Sequence, residues 1–211
     1  MKKFGFYAML DRMQYINRWA LMRNSRTENI KEHSFDVAII ARALCVIRNH
    51  MIDTKREALV DEALIKLDPN KVESYALYHD CTEIITGDLP TPIKYRNKEI
   101  TRAYREVEEE AASNLASMLP EFMQDDYREL LSPSVDSDEA KLCRKIVKAA
   151  DRISAYIKCI TEEKSGNDEF ASAKQTIEDS IIGIKAPYVD FFMAQFIPAY
   201  GMNLDQISKG E

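Results

Sequence analysis

No stretch of this sequence comes near the ~20 consecutive apolar residues that a membrane-spanning helix requires, so no membrane partner is expected. Cysteine is sparse and scattered. Cys45, Cys81, Cys143 and Cys159 form no Cys-x-x-Cys pair, which argues against a zinc knuckle or a dithiol redox motif and leaves them as small core residues. Glycine occurs only six times, and no sustained alternation of apolar and polar residues bounded by turns appears, so strands have little support. Positive charge is in deficit. A net charge of -6 disfavours broad binding to a nucleic-acid polymer, while leaving room for a local basic pocket that takes a small phosphate ester. The N-terminal Met1-Lys2-Lys3 meets Asp11 and Arg12 before a signal-peptide core can form, which points to a cytoplasmic protein. Histidine occurs three times and tryptophan once, so each is informative.

What is present reads as an all-α chain. With 211 residues, 45% hydrophobic and 30% charged, it suits one well-buried domain, expected over residues 1–207 with a frayed tail at 208–211. A first helix is expected from Phe4 to about Asn17. Asn29, followed three residues later by Glu32, resembles an N-terminal cap with its partner. A helix starting near Ile30 then places His33, Val37, Ile40, Ala41, Leu44 and Ile47 on one inward stripe. His33 is there either as a ligand or as a satisfied core residue. Thr54 to Leu67 carries a weaker helical pattern, and Asp68-Pro69 suits a cap and first position.

The next helix holds the most informative stretch, Tyr78-His79-Asp80-Cys81-Thr82-Glu83. Helical periodicity puts Val72, Ala76, His79 and Glu83 on one face, with Asp80 about 100° around. Such a face can hold a metal with a proton carrier beside it, or merely a His-Asp pair that satisfies its own helix. Gly87 is placed to end this helix, and Pro90 and Pro92 stiffen the exit loop and keep Asp88 near the motif.

Lys98 to Leu119 is amphipathic, with Ile100, Tyr104, Val107, Ala111, Leu115 and Met118 as its stripe. Its acidic run at Glu106 and Glu108 to Glu110 reads as a solvated face. After a short helix to Leu131 and a turn-rich segment, with Asp136 or Ser137 as the cap, a helix from Asp138 to Lys164 sets Asp151 among Val147, Ala150 and Ser154. A carboxylate there needs a cation, a donor or a metal. Asp151 is thus a candidate ligand, or the partner of Lys148 or a neighbouring arginine. The last third holds Glu169 to Ile184 and then Pro187 to Ala199. The latter carries an aromatic stripe of Tyr188, Phe191, Phe192 and Phe196, suited to core or to a dimer surface.

His33, His79-Asp80 and Asp151 follow the order His, His-Asp, Asp, which resembles the HD superfamily of metal-dependent phosphohydrolases. Three segments narrow the likeness: Asn17-Arg18-Trp19 with Leu21-Met22-Arg23-Asn24, Thr27 to Ser34, and Tyr78 to Pro92 with its Gly87-Asp88-Leu89-Pro90-Thr91-Pro92 block. With Tyr156 to Cys159 they resemble the YfbR-type bacterial 5'-deoxynucleotidases over nearly the whole chain. The resemblance implies an all-helical HD fold, usually a homodimer, that removes phosphate from deoxyribonucleoside 5'-monophosphates.

It further implies that His33, His79, Asp80 and Asp151 are the ligands of one divalent ion, for which a mixed imidazole and carboxylate set suits Co, Mn, Zn, Fe or Ni. Glu83 matches the family's acidic residue near the attacking water. Arg18, Trp19 and Asp88 match positions lining the nucleotide site. The Arg48-to-Leu67 connection departs from the group, looking longer and more helical. Two rival readings keep the scaffold: hydrolysis of a deoxynucleoside triphosphate or cyclic nucleotide, or an inert nucleotide-binding HD scaffold. The first lacks an obvious cluster of basic groups for a polyphosphate, and the second is expected to have lost a ligand or the glutamate.

Overall fold

The computed structural model describes residues 3–55, 58–59, 63–94 and 96–209. Their regular elements are all helical. The isolated bridge pairing Asn17 with Asn29 is the β-type contact found among them. In chain order the α-helices are α1 (Phe6–Leu10), α2 (Ile30–Thr54), α3 (Pro69–Tyr78), α4 (Glu83–Thr86), α5 (Thr91–Lys94), α6 (Lys98–Ser117), α7 (Glu121–Leu131), α8 (Asp138–Lys164), α9 (Ala171–Ile182), α10 (Pro187–Gln195) and α11 (Leu204–Lys209). Short 3-10 turns join several of them. None of the described helices is long and apolar enough to cross a membrane.

The cap residues set these boundaries. Asn29 accepts hydrogen bonds from the amides of Lys31 and Glu32, Asp68 from that of Asn70, and Ser137 from that of Ala140. Each satisfies amides that the first turn leaves without intrahelical partners. The expected inward stripe of α2 is buried from His33 through Val37, Ile40, Ala41 and Leu44, with Ile47 half-buried.

Two apolar clusters organise the packing. The larger joins α2, α3, α8 and α10 around Leu44, Val72, Ile146, Ile153 and Tyr188. The smaller gathers Phe6, Met13, Ile30, Cys81, Leu115 and Leu119. On α2, Ile30 belongs to the smaller cluster and Val37 to the larger, so His33 sits where the two meet.

Four expectations need correction. The first helix is not continuous from Phe4 to Asn17, because α1 ends at Leu10 and a 3-10 turn covers Asp11–Tyr15. Tighter i→i-3 bonding ends there in an extended Ile16, which leads into the bridge with Asn29. The helix expected over Thr54 to Leu67 does not form as one α-helix in its described part, where Thr54 ends α2 and residue 58 is in a 3-10 turn. Residues 56, 57 and 60–62 lie outside that part, while residues 63–67 are irregular.

The cause is visible in α2. The fully buried Arg48 donates from Nη1 to the Ile65 carbonyl at 2.7 Å and from Nη2 to that of Ala63. Asn49 pairs with both the carbonyl and the amide of Leu67. Side chains of one helix thus take the backbone groups that a second helix would have paired internally. Arg48→Ala removes the charged donor from both carbonyls and is expected to lower stability by roughly 3 to 6 kcal/mol, at ~1.5 to 3 kcal/mol per bond. Urea denaturation checks this.

Val107, third, is 47% exposed rather than part of the α6 stripe, whose buried residues are Ala111, Ala112, Leu115 and Ala116. The aromatic stripe of α10 also divides. Tyr188 and Phe192 are core, whereas Phe191 and Phe196 are exposed. The fourth correction concerns the helix carrying His79 and bears directly on the site.

Candidate metal and nucleotide site

Helix α3 stops at Tyr78, and His79 is its C-cap. From there the backbone advances by i→i-3 bonds: His79 amide to Ala76, Cys81 to Tyr78, Glu83 to Asp80 and Ile84 to Cys81. A three-residue turn rotates successive side chains by more than an α-helix does. His79 and Glu83 therefore do not share a face of one α-helix, as the sequence suggested. The neighbours are His79 and Asp80 instead, with His79 Nε2 lying 3.1 Å from Asp80 Oδ2. Glu83 opens the separate α4, which Gly87 ends at φ 73 and ψ 161, a conformation confined almost entirely to glycine. Tyr104 of α6 braces this turn by donating to the Gly87 carbonyl.

His33, from the first turns of α2, reaches the same point. Its ring centroid lies 5.3 Å from that of His79, and its Nε2 is 3.6 Å from Asp80 Oδ2 and 3.1 Å from Asp151 Oδ1. Ligand atoms of His33, His79 and Asp80 all fall within 4.8 Å of one another. Asp151, from the middle of α8, completes the set through His33 and stands 3.8 Å from Arg18 Nη2. Arg152, the neighbouring arginine on α8, donates instead to the Ser180 carbonyl. Three remote segments thus bring two imidazoles and two carboxylates together.

The donor set fits a divalent cation. His79 Nδ1 lies 2.6 Å from the Ala76 carbonyl, so Nδ1 carries the ring proton and Nε2 presents its lone pair. That Nε2 is buried and makes no hydrogen bond. An orphaned imidazole nitrogen beside an aspartate, with its other nitrogen tied to a backbone carbonyl, is the arrangement of a metal ligand and its orienting partner.

His33 offers two choices. Its Nδ1 is 2.8 Å from Arg18 Nη1 and 3.2 Å from Ser154 Oγ. A guanidinium only donates, so while Arg18 is engaged the proton of a neutral ring sits on Nε2, toward Asp151. To serve as a ligand through Nε2, His33 must carry its proton on Nδ1, with Ser154 Oγ as acceptor. Ser154→Ala is therefore expected to weaken Mn binding roughly 10- to 100-fold, as removal of such orienting partners does elsewhere. Calorimetric titration of metal-stripped protein measures it.

Electrostatics divides the four site carboxylates into pairs. Burial alone would raise Asp80, but His79, His33 and Arg18 hold it well below the usual carboxylate range. Asp151 is likewise lowered by His33, His79 and Arg18 against the effect of burial. Glu83 moves the other way, because burial and the Asp80 and Asp88 charges push it well above the usual range. Asp88 is also raised, chiefly by burial. These shifts favour the carboxylate form of the first pair, as ligands require, and the protonated form of Glu83. Its Oε2 is buried with no hydrogen-bond partner.

Arg18 and Trp19 lie on the segment before α2. Both bond to Glu28, whose carboxylate accepts from Arg18 Nη1 at 3.0 Å and from Trp19 Nε1 at 2.9 Å. Asp88 is half-buried on the loop after Gly87 and feels the Arg18, His33 and Lys94 charges. Lys94 of α5 pairs with Glu108 at 2.8 Å and stands 4.4 Å from the Tyr104 ring centroid. Glu28 and Ser154 are contributors that sequence reasoning did not single out as site residues. Ser154 was legible as the helical neighbour of Asp151, one turn less a residue away. Glu28 was marked only by lying just before the cap of α2 and within the Thr27-to-Ser34 segment of the family likeness.

Comparisons with known proteins give the family. The profile of a family described as 5'-deoxynucleotidase YfbR-like matches residues 5–200. The 5'-deoxynucleotidases of Yersinia pseudotuberculosis serotype I (strain IP32953) and Yersinia pestis (strain Pestoides F) are each 43% identical over 203 residues, covering 96% of this chain and 96% of theirs. Among solved structures, an HD-domain phosphohydrolase from Listeria innocua matches with a TM-score of 0.72 at 22% identity, over 97% of this chain and 95% of that one. A cyanophage S-2L HD phosphohydrolase, bound to dA and one catalytic Zn2+ ion, matches with a TM-score of 0.52 at 20% identity, over 92% and 95%. These two likenesses establish the all-α HD fold.

Proposed function

Because this chain belongs to the YfbR-like 5'-deoxynucleotidase family, we propose that it hydrolyses deoxyribonucleoside 5'-monophosphates to deoxynucleoside and phosphate at a centre formed by His33, His79, Asp80 and Asp151. The observation that carries this assignment is the meeting of His33, His79 and Asp80 ligand atoms within 4.8 Å, from helix α2 and from the turn after α3, far apart in sequence. A divalent ion bound there would polarise the phosphoryl group and lower the pKa of its water. Mixed nitrogen and oxygen ligands suit Co, Mn, Zn, Fe or Ni.

The chain's own residues supply the rest. Arg18 offers a planar fork of donors for phosphate oxygens. Glu83, buried and protonated, is equipped to hand a proton to the departing 5'-oxygen. Asp88 is the acceptor for the 3'-hydroxyl, on a loop whose turn Gly87 makes. Trp19 is the rigid wall near C2', where a ribose 2'-hydroxyl would meet the indole. Trp19→Ala is expected to erode the preference for deoxyribose by roughly tenfold or more, within the range a pocket contact supplies. The ratio of kcat/KM for dAMP and AMP measures this, and a ratio equal to wild type would remove Trp19 from sugar selection.

Assaying mono- and triphosphates side by side with each metal tests the activity itself, because release of phosphate from the monophosphate separates it from a triphosphohydrolase that releases a polyphosphate. We take residues 1–207 as one cytoplasmic HD domain. All four cysteines are free and buried, in keeping with a reducing compartment. A homodimer is the proposed assembly. It is supported by the exposed ridge of Phe35, Ile39 and Val46 along α2, an apolar stripe that a second copy would cover. Sedimentation at micromolar concentration would show a single 24.3 kDa chain if this assembly were wrong.

A further inference from the structure

The segment from Ile16 to Ile30 is closed at its ends and irregular in its middle. Arg18 donates its amide to the Glu28 carbonyl at 2.9 Å, and Ile30 donates to that of Ile16 at 3.0 Å. Between these ties Trp19 adopts a left-handed backbone at φ 59, an unfavourable conformation for a non-glycine residue that persists only where surrounding contacts enforce it.

The Trp19 carbonyl accepts from the Met22 amide at 2.9 Å and from Asn24 Nδ2 at 3.2 Å, and the Trp19 side chain is held at Glu28, which is 9% exposed. A single oxygen, Oε2, accepts from both Arg18 Nη1 and Trp19 Nε1. The guanidinium carbon then lies 5.7 Å from the indole centroid, and the indole also packs on Phe170 at 5.3 Å. The frame is anchored independently. The fully buried Glu162 of α8 accepts from the Ser25 and Arg26 amides at 2.8 and 3.3 Å. Lys158 donates to the Arg26 carbonyl, and Asn167 to that of Arg23 at 2.7 Å.

We propose that Glu28 is the positioning residue of nucleotide recognition, fixing the indole and the guanidinium as one unit so that sugar selection and phosphate binding depend on the same oxygen. This rests on the assignment of Arg18 and Trp19 as nucleotide-contacting residues. Glutamine can place its carbonyl oxygen where Oε2 lies and keep both hydrogen bonds, though without the charge. Alanine cannot, and aspartate is one methylene short.

Trp19 is the single tryptophan, so its fluorescence reports its position in the full-length protein before any substrate is added. Glu28→Ala and Glu28→Asp are expected to red-shift the emission and raise acrylamide quenching several-fold. The same variants should raise KM for dAMP and cut the dAMP-to-AMP ratio of kcat/KM by roughly tenfold or more, since an ångström of misplacement costs on the order of 100-fold. Glu28→Gln should keep the wild-type emission, quenching and ratio.

Unchanged quenching and an unchanged ratio in both Glu28→Ala and Glu28→Asp would overturn the proposal while leaving Arg18 and Trp19 in place. So would a Glu28→Gln protein as defective as Glu28→Ala, since charge rather than placement would then be the cause. A freely quenched Trp19 with intact discrimination would instead overturn the assignment of Trp19 to the sugar, and the proposal with it. Should Glu28→Ala fail to fold, the aspartate and glutamine variants carry the same contrast.

Discussion

Asp80→Ala should purify as a folded protein with no bound metal and no measurable phosphate release. Asp80 Oδ2 faces both imidazoles, 3.1 Å from His79 Nε2 and 3.6 Å from His33 Nε2, so its removal takes away a carboxylate that both nitrogen ligands share. The fold should survive, because the side chain is 20% exposed at a turn and fills no core. Asp80→Asn separates shape from charge. It preserves volume but offers a neutral oxygen, and metal occupancy should again fall well below one ion per chain by elemental analysis. Stoichiometric metal in Asp80→Ala would mean that the ion sits elsewhere.

Glu83→Gln should bind metal like wild type and lose roughly 100- to 10,000-fold in kcat, the usual contribution of a positioned proton carrier. The side chain is 7% exposed, and Asp80 and Asp88 add to the effect of burial in holding its proton. Glutamine keeps that volume and neutrality, so the loss isolates the proton itself. Two carboxylates driven in opposite directions within one site mark a division between ligand and acid. Asp80 and Asp151 are on one side of that division and Glu83 on the other. Stopped assays of product formation at saturating dAMP measure the effect, and turnover equal to wild type would exclude Glu83 from the chemistry.

Much of this was legible in the chain where a helix is long and periodic. The cap at Asn29 and the spacing from His33 to Leu44 placed α2 and turned His33 inward. The apolar surroundings of Asp151 marked it as needing a partner, and α8 spans Asp138–Lys164 as its pattern indicated. What escaped was decided by contacts between remote residues. Nothing local announces that the backbone tightens after Tyr78, so His79 and Glu83 looked like one face when the turn pairs His79 with Asp80. Residues 63–67 carried a helical pattern, yet Arg48 and Asn49 claim their backbone groups. Val107 fitted the apolar stripe of α6, yet it is exposed while Ala111 and Leu115 of the same stripe are buried. Glu28 is the sharpest case, since its partners are two side chains whose meeting depends on a closed loop and a left-handed tryptophan.

Phosphate release from dAMP by metal-stripped protein, titrated with Mn and followed in parallel for Asp80→Ala, tests whether hydrolysis depends on an ion held at His33, His79, Asp80 and Asp151. No activity is expected without metal, with activity rising to a plateau at one ion per chain, weaker release from AMP, and none at any metal level in Asp80→Ala. Undiminished release from the stripped protein, or wild-type release by Asp80→Ala, would contradict that dependence.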